Sequence, residues 1–220
     1  ESFYITGWIP AKELDRLKPM LDSDKKIIYV LEEPDMLKNL KPPIELRNNI
    51  LFKPFETLVR MYGLPSYNEI DPTAFVAVTY FLMFGIMFGD VGQGLVLLLA
   101  GLFLLKRKIS LGGVISGAGI SSILFGFLYG SVFGFEDWIN ALWIRPMENI
   151  NTMLLVAVAA GILLITSAMV LNMLNGIKSR NPARIFLDKN GLAGFAFYWG
   201  VVIMVLYFYK NNKLPFSIGT

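Results

Sequence analysis

Residues 71–94 read DPTAFVAVTYFLMFGIMFGDVGQG. No side chain between Thr73 and Gly89 carries a charge. A single carboxylate, Asp90, then stands among Gly85, Gly89, Gly92 and Gly94, and a second apolar run follows at once. Runs of this kind belong in hydrocarbon. A lone acid where one such run turns back into the next is costly in lipid, which makes it a functional candidate.

Outward from this stretch the pattern repeats. Apolar runs predict five membrane-spanning helices, at 72–88, 91–106, 111–134, 150–174 and 191–210, each near the ~17–25 residues that crossing requires. The first two are expected to form a hairpin closed by the glycine turn, with a single bent element as the alternative. Charged residues make up 17% of the 220, against roughly 25% in a soluble domain, and the mean hydropathy is +0.54. Residues 1–70 carry a net charge of −1 and residues 71–220 a net +4. Most of the excess lies in two short stretches, Lys106-Arg107-Lys108 and the loop holding Lys178, Arg180, Arg184 and Lys189. With five crossings, both fall on the side of the N-terminus. The stretch 135–149, with Glu136, Asp137 and Glu148 against Arg145, falls opposite. The positive-inside rule then places the N-terminal module in the cytoplasm.

That module differs in composition. Phe3-Tyr4-Ile5 and Lys26–Leu31 have strand character, and Ala11–Leu21 carries Leu14, Leu17 and Leu21 on one helical face. Residues 1–49 are therefore expected to be the end of a small α/β module and its linker, the linker (32–50) marked by Pro34, Pro42 and Pro43. Residues 50–71 are expected to hold an amphipathic helix and a connector. Leu51, Phe55, Leu58, Val59 and Tyr62 form its apolar stripe, facing either the membrane interface or the soluble module. Residues 72–220 are the membrane domain. The fold class is thus mainly α, a polytopic helical bundle preceded by part of an α/β module. With no initiator Met and no signal-peptide pattern, the chain reads as a fragment of a longer protein.

Histidine and cysteine are both absent. That excludes disulfides, zinc held by Cys or His, and Ser–His or Cys–His catalysis. No GxxxxGK[ST] motif is present, so no nucleotide site, cofactor or metal is expected. No basic patch interleaved with aromatics points to nucleic acid. Asp90 has two compatible readings, an ionisable group on an ion path and the N-cap of the helix after it. Gly126, Gly130 and Gly134 recur every four residues, one turn after Ser122, and Gly113 and Gly117 form a similar pair. Such faces favour close packing, against another helix of the chain or against a partner subunit. Thr166, Ser167 and Asn172 are expected to make interhelical hydrogen bonds.

Several motifs carry a family resemblance. Lys53-Pro54-Phe55-Glu56, Met61–Pro65, Tyr67–Thr73 and Phe84–Gly94 resemble the large membrane stator subunit of the rotary V-type and archaeal A-type ATPases. That subunit is called a in eukaryotes and I in prokaryotes. Gly7-Trp8-Ile9-Pro10 is similar to the end of its cytoplasmic domain, and Phe125–Gly134 to its third spanning helix. The resemblance implies a non-catalytic, multi-pass subunit that takes part in proton or sodium translocation against a proteolipid ring. It also implies binding to peripheral-stalk subunits through the N-terminal domain, contact with a central-stalk subunit, and residence in the plasma membrane if the source is prokaryotic. The family's essential Arg on a late helix has no counterpart among these five segments. Gln93 stands where relatives often carry Tyr or His. Two other classes compete: a secondary transporter or channel with Asp90 at a broken helix, and a non-transporting membrane scaffold.

Overall fold

The computed structural model describes residues 3–24, 26–32, 43–67 and 69–211. They separate into two compact units, Glu1–Glu45 and Leu46–Thr220.

In the first unit a 3-10 turn, Ala11–Glu13, runs into helix α1, Leu14–Asp22. Leu14, Leu17 and Leu21 are its half-buried face. The expected strands are not there: among the described residues, 3–5 and 27–31 belong to no strand. A strand exists through its ladder, so a β-branched and aromatic run without a neighbouring edge forms none. Ile28 and Tyr4 accordingly remain exposed. The α/β character expected of this module is thus corrected to a short helix flanked by segments without regular structure among the described residues. Most of the proline-marked linker lies outside the described residues.

The second unit is helical. Its helices are α2 (Glu56–Tyr62), α3 (Thr73–Met87), α4 (Val91–Lys106), α5 (Gly112–Tyr129), α6 (Ile150–Lys178), α7 (Pro182–Phe186) and α8 (Leu192–Asn211). α5, α6 and α8 are long and apolar enough to cross a membrane. α3 and α4 have only 15 and 16 residues and rise about 23 and 24 Å, short of the ~30 Å hydrocarbon core. The expected third segment is also trimmed. Its helix ends at Tyr129, because Gly130 takes a left-handed conformation at the C-cap.

α3 and α4 run in opposite directions, yet they pack chiefly on α5 rather than on each other. Ala77 of α3 meets Val114, and further along Gly85 faces Ser121 and Phe125, so α3 and α5 are parallel. α4 is antiparallel to α5, with Gly101 beside Ser116 and Gly94 beside Gly119 and Ile123. A hairpin whose arms are parted by a third helix replaces the simple hairpin. The approach is backbone to backbone. A methyl group built on Gly94 would stand 2.7 Å from the amide nitrogen of Ile123, and one on Gly119 would stand 2.5 Å from that of Leu98. Only glycine fits such a seam.

The amphipathic segment closes one end of this three-helix block. Lys53–Phe55 forms a 3-10 turn that leads into α2. Phe55 buries against Ala77 and Val114, with Phe52 and Leu58 beside it. The apolar stripe is therefore spent on α3 and α5, and its ends, Leu51 and Tyr62, stay exposed. α6 has 29 residues and extends about 44 Å, longer than a crossing needs. Half of the apolar window of α5 is buried inside the chain, whereas none of those of α6 and α8 is.

Candidate functional site

Asp90 sits where the chain leaves α3, rounds the C-terminal end of α5 and starts α4. Its backbone is extended, and its side chain accepts from the Gln93 amide, which makes it the N-cap of α4. It is 6% exposed. Burial on this scale demands partners, and the chain supplies four donors. Oδ1 accepts from the amides of Gln93 at 2.8 Å and Phe133 at 2.9 Å. Oδ2 accepts from Ser131 Oγ at 2.8 Å and the Gly134 amide at 2.7 Å.

Two of these donors come from an unusual turn. Val132 and Phe135 exchange both backbone hydrogen bonds at 3.0 Å. Phe133 and Gly134 between them have φ of +50° and +80°. Positive φ at both central positions marks a type I′ turn. The central amides of such a turn usually go to water; here they converge on one carboxylate as a small anion nest. Phe133 is bulky and pays strain on the order of 1–3 kcal/mol for that conformation, so the carboxylate helps to hold it. The Phe133 ring in turn covers Gly92.

The backbone around the acid is satisfied as well. Ser122 Oγ donates to the carbonyls of Phe88 and Asp90. Val91 donates to the Ser131 carbonyl at 3.0 Å. Tyr129 Oη donates to Ile86 at 3.1 Å, and the Tyr129 ring lies over Gly89. Gly126 lets the Asp90–Val91 backbone rest directly on α5.

Gly85, Gly89, Gly92 and Gly94 thus each meet a different neighbour. The stripe of Gly126, Gly130 and Gly134 is not one packing face. Gly130 is a C-cap that touches Ile139 and Ala141 of its own loop, and Gly134 lies beyond the helix facing open space. The four-residue spacing survives, but the helix that would align it has already ended.

Chemically, this arrangement suits an ionised carboxylate, which only accepts hydrogen bonds and offers about four lone-pair positions. All four are used within the chain. The N-terminus of α4 adds a favourable partial charge. No group of three or more Asp and Glu able to hold a metal occurs among the described residues.

A second polar cluster was not anticipated as a unit. Glu69, just before α3, pairs with Arg184 of α7 at 2.5 Å, and Arg184 Nε donates to Asn172 at 3.1 Å. The Ile70 amide donates to Asn175 Oδ1 at 2.8 Å, and Lys178 Nζ to the Glu69 carbonyl at 3.1 Å. The Ser66 amide and Arg184 hold the Glu69 carboxyl below its usual pKa, against a burial effect of opposite sign. For Asp71, burial pushes the pKa up, but hydrogen bonds from Thr73 and Asn48 outweigh it and the pKa is lowered. The sequence holds a signal for this cluster: Asn172, Asn175 and Lys178 repeat every three residues along one edge of α6. Asn172 uses its carbonyl there, while its Nδ2 and Thr166 Oγ1 are buried without a partner among the described residues. Among the described residues, Ser167 donates to Leu163 of its own helix.

The sequence model of the V-type ATPase 116 kDa subunit family matches residues 1–135, through α5 and the turn that closes on Asp90. The chain belongs to this family. A-type ATP synthase subunit I of Archaeoglobus fulgidus is 37% identical over 141 residues, 60% of this chain and 20% of the relative. V-type ATP synthase subunit I 2 of Treponema pallidum is 36% identical over 146 residues, 60% of this chain and 32% of the relative. V-type proton ATPase 116 kDa subunit a 1 of Caenorhabditis elegans is 33% identical over 147 residues, 57% of this chain and 16% of the relative. The chain therefore spans a fifth to a third of the first two relatives' length, and less of the third.

Proposed function

We propose that this chain is part of the membrane stator subunit of a V/A-type rotary ATPase. In this reading the whole subunit takes part in moving protons or sodium ions across the membrane against a proteolipid ring. Its N-terminal unit lies in the cytoplasm and ties it to the peripheral stalk, and ATP chemistry belongs to other subunits. The observation that carries the reading is the family match over residues 1–135, which ends where the apolar block α3–α5 ends. The basic stretches at 106–108 and 178–189 favour a cytoplasmic side for both, with the acidic loop opposite.

Within that subunit, the part described here is a scaffold. Asp90 has its four acceptor positions filled by Gln93, Ser131, Phe133 and Gly134. A carboxylate so occupied supports a keystone role rather than an ion-carrying one. Arg184 is paired with Glu69 in the segment after α6, which supports the same kind of role for that cation. The test is affinity purification of the tagged full-length protein from gently solubilised native membranes, followed by mass spectrometry. A small apolar proteolipid co-purifying with nucleotide-binding and stalk subunits is the expected result. A protein recovered alone or as a homo-oligomer overturns the reading.

A further inference from the structure

The loop between α5 and α6 carries large apolar side chains that the described residues leave exposed. Phe135, Trp138, Leu142, Trp143 and Met147 are between 51% and 77% exposed. In water this would be an unusual surface. The loop is also held in shape. The Leu142 and Trp143 amides donate to the Phe127 and Leu128 carbonyls, which the end of α5 leaves unpaired. Phe135 stacks on Trp138 with centroids 5.4 Å apart, and Trp143 stacks on Tyr129 at 6.3 Å.

Position decides what covers these side chains. The loop joins the C-terminal end of α5 to the N-terminal end of α6, two helices long and apolar enough to cross a membrane. Its anchored part therefore sits at the level where hydrocarbon gives way to headgroups. Trp is enriched at that level because its ring is apolar and its N–H is polar. The charges are compatible: Glu136, Asp137, Arg145 and Glu148 alternate with the apolar groups. Glu148, which is paired with Arg145 at 3.2 Å, is itself exposed.

We propose that residues 135–147 form an interfacial anchor, with Trp138, Leu142 and Met147 seated in the bilayer surface beside the α5–α6 boundary. The occupant of this apolar face is lipid. The proposal rests on the reading of α5 and α6 as crossing helices, and the test separates the two.

The test uses the full-length subunit reconstituted in phosphatidylcholine vesicles, with one tryptophan kept and every other replaced by Phe. One form keeps Trp138 and the other keeps Trp199, in the apolar helix α8. The vesicles contain lipid brominated either near the headgroup or near the chain end. Trp138 emission is expected to fall more with shallow than with deep bromine and to be shielded from acrylamide. Trp199 reports whether the helices are embedded at all. Quenching of Trp199 by bromine with Trp138 unaffected and open to acrylamide overturns the anchor and leaves the membrane reading intact. Trp138 shielded from acrylamide but blind to bromine also overturns it, in favour of a protein cover. If neither tryptophan responds to bromine, the membrane reading fails and takes the anchor with it.

Discussion

Replacing Asp90 separates its role as a keystone from a role on an ion path. In Asp90→Asn one oxygen becomes an NH2 group. The less costly orientation keeps the oxygen at the Oδ1 position, still accepting from Gln93 and Phe133. The NH2 group then faces Ser131 and Gly134. The Ser131 hydroxyl can rotate and accept, which leaves only the Gly134 amide unsatisfied. One orphaned donor costs about 1–3 kcal/mol. The cap itself survives, because Asn caps as well as Asp. Asp90→Ala removes every acceptor, so the cap, worth about 1 kcal/mol, goes with the rest. At about 1–3 kcal/mol for each orphaned buried donor, the Ala variant falls on the order of 4 kcal/mol or more below the parent. That is a large share of the ~5–15 kcal/mol that holds a typical domain. Thermal unfolding of the purified subunit should rank the parent above Asn and Asn above Ala. The yield of assembled complex should follow that order, and ion pumping per assembled complex should stay close to the parent's for Asn. An Asn variant of normal stability and assembly that has lost pumping would refute the reasoning, because the carboxylate would then be handling the ion.

Gly119→Ala places a methyl group 2.5 Å from the Leu98 amide nitrogen, so α4 and α5 must separate; the cost is about 1–3 kcal/mol, visible as a lower unfolding temperature. Gly130→Ala must adopt φ of +74° against the Ile139 carbonyl at 2.6 Å. The left-handed penalty alone is about 1–2 kcal/mol, and protease cutting within 131–149 should rise. The Glu69 pKa is lowered from 4.5 in the folded chain. Its contribution is therefore fully present above pH 4.5 and is lost as pH falls through the lower folded value. Arg184→Gln should shrink that acid loss only in part, because the Ser66 amide remains and Asp71 behaves in the same direction. An unchanged acid unfolding profile in Arg184→Gln would remove the pair from the account.

The helices were legible in the sequence because each is a long, nearly uncharged apolar run. The ends of α4, α6 and α8 fell within a few residues of those runs. What the runs could not reveal was which helix lies between which. Gly94 stood out in the glycine cluster without naming its partner, Gly101 and Gly119 were not singled out, and α5 proved to separate α3 from α4. The cap at Asp90 followed from its place before a helix. Its other donors did not, because they come from a turn that puts Phe133, a bulky residue, at positive φ. The strands at 3–5 and 27–31 failed for the opposite reason. A β-branched and aromatic run describes what a strand favours in its side chains and says nothing about whether an edge is present to pair with it.

The two parts of the membrane unit obtain their order from different sources. α3, α4 and α5 meet along seams of small residues, and Ser121 and Ser122 bond main-chain carbonyls across those seams. The buried serines of this block are satisfied within it. α6 has no extensive packing against α3, α4 or α5 among the described residues. The connection described between them is the polar knot of Glu69, Ile70, Asn175, Lys178 and Arg184 at one end of α6. A helix joined to the α3–α5 block chiefly at one end, and packed otherwise only on α7 and α8 among the described residues, takes its tilt from whatever surrounds it. Breaking the knot should therefore change the angle of α6 while leaving the Asp90 cradle intact. Distances from spin labels on α6 to labels on α5 should broaden in a Glu69→Gln, Arg184→Gln double variant, whereas distances within α3–α5 should not. Broadening within α3–α5 would show that the block depends on the knot and is not self-sufficient.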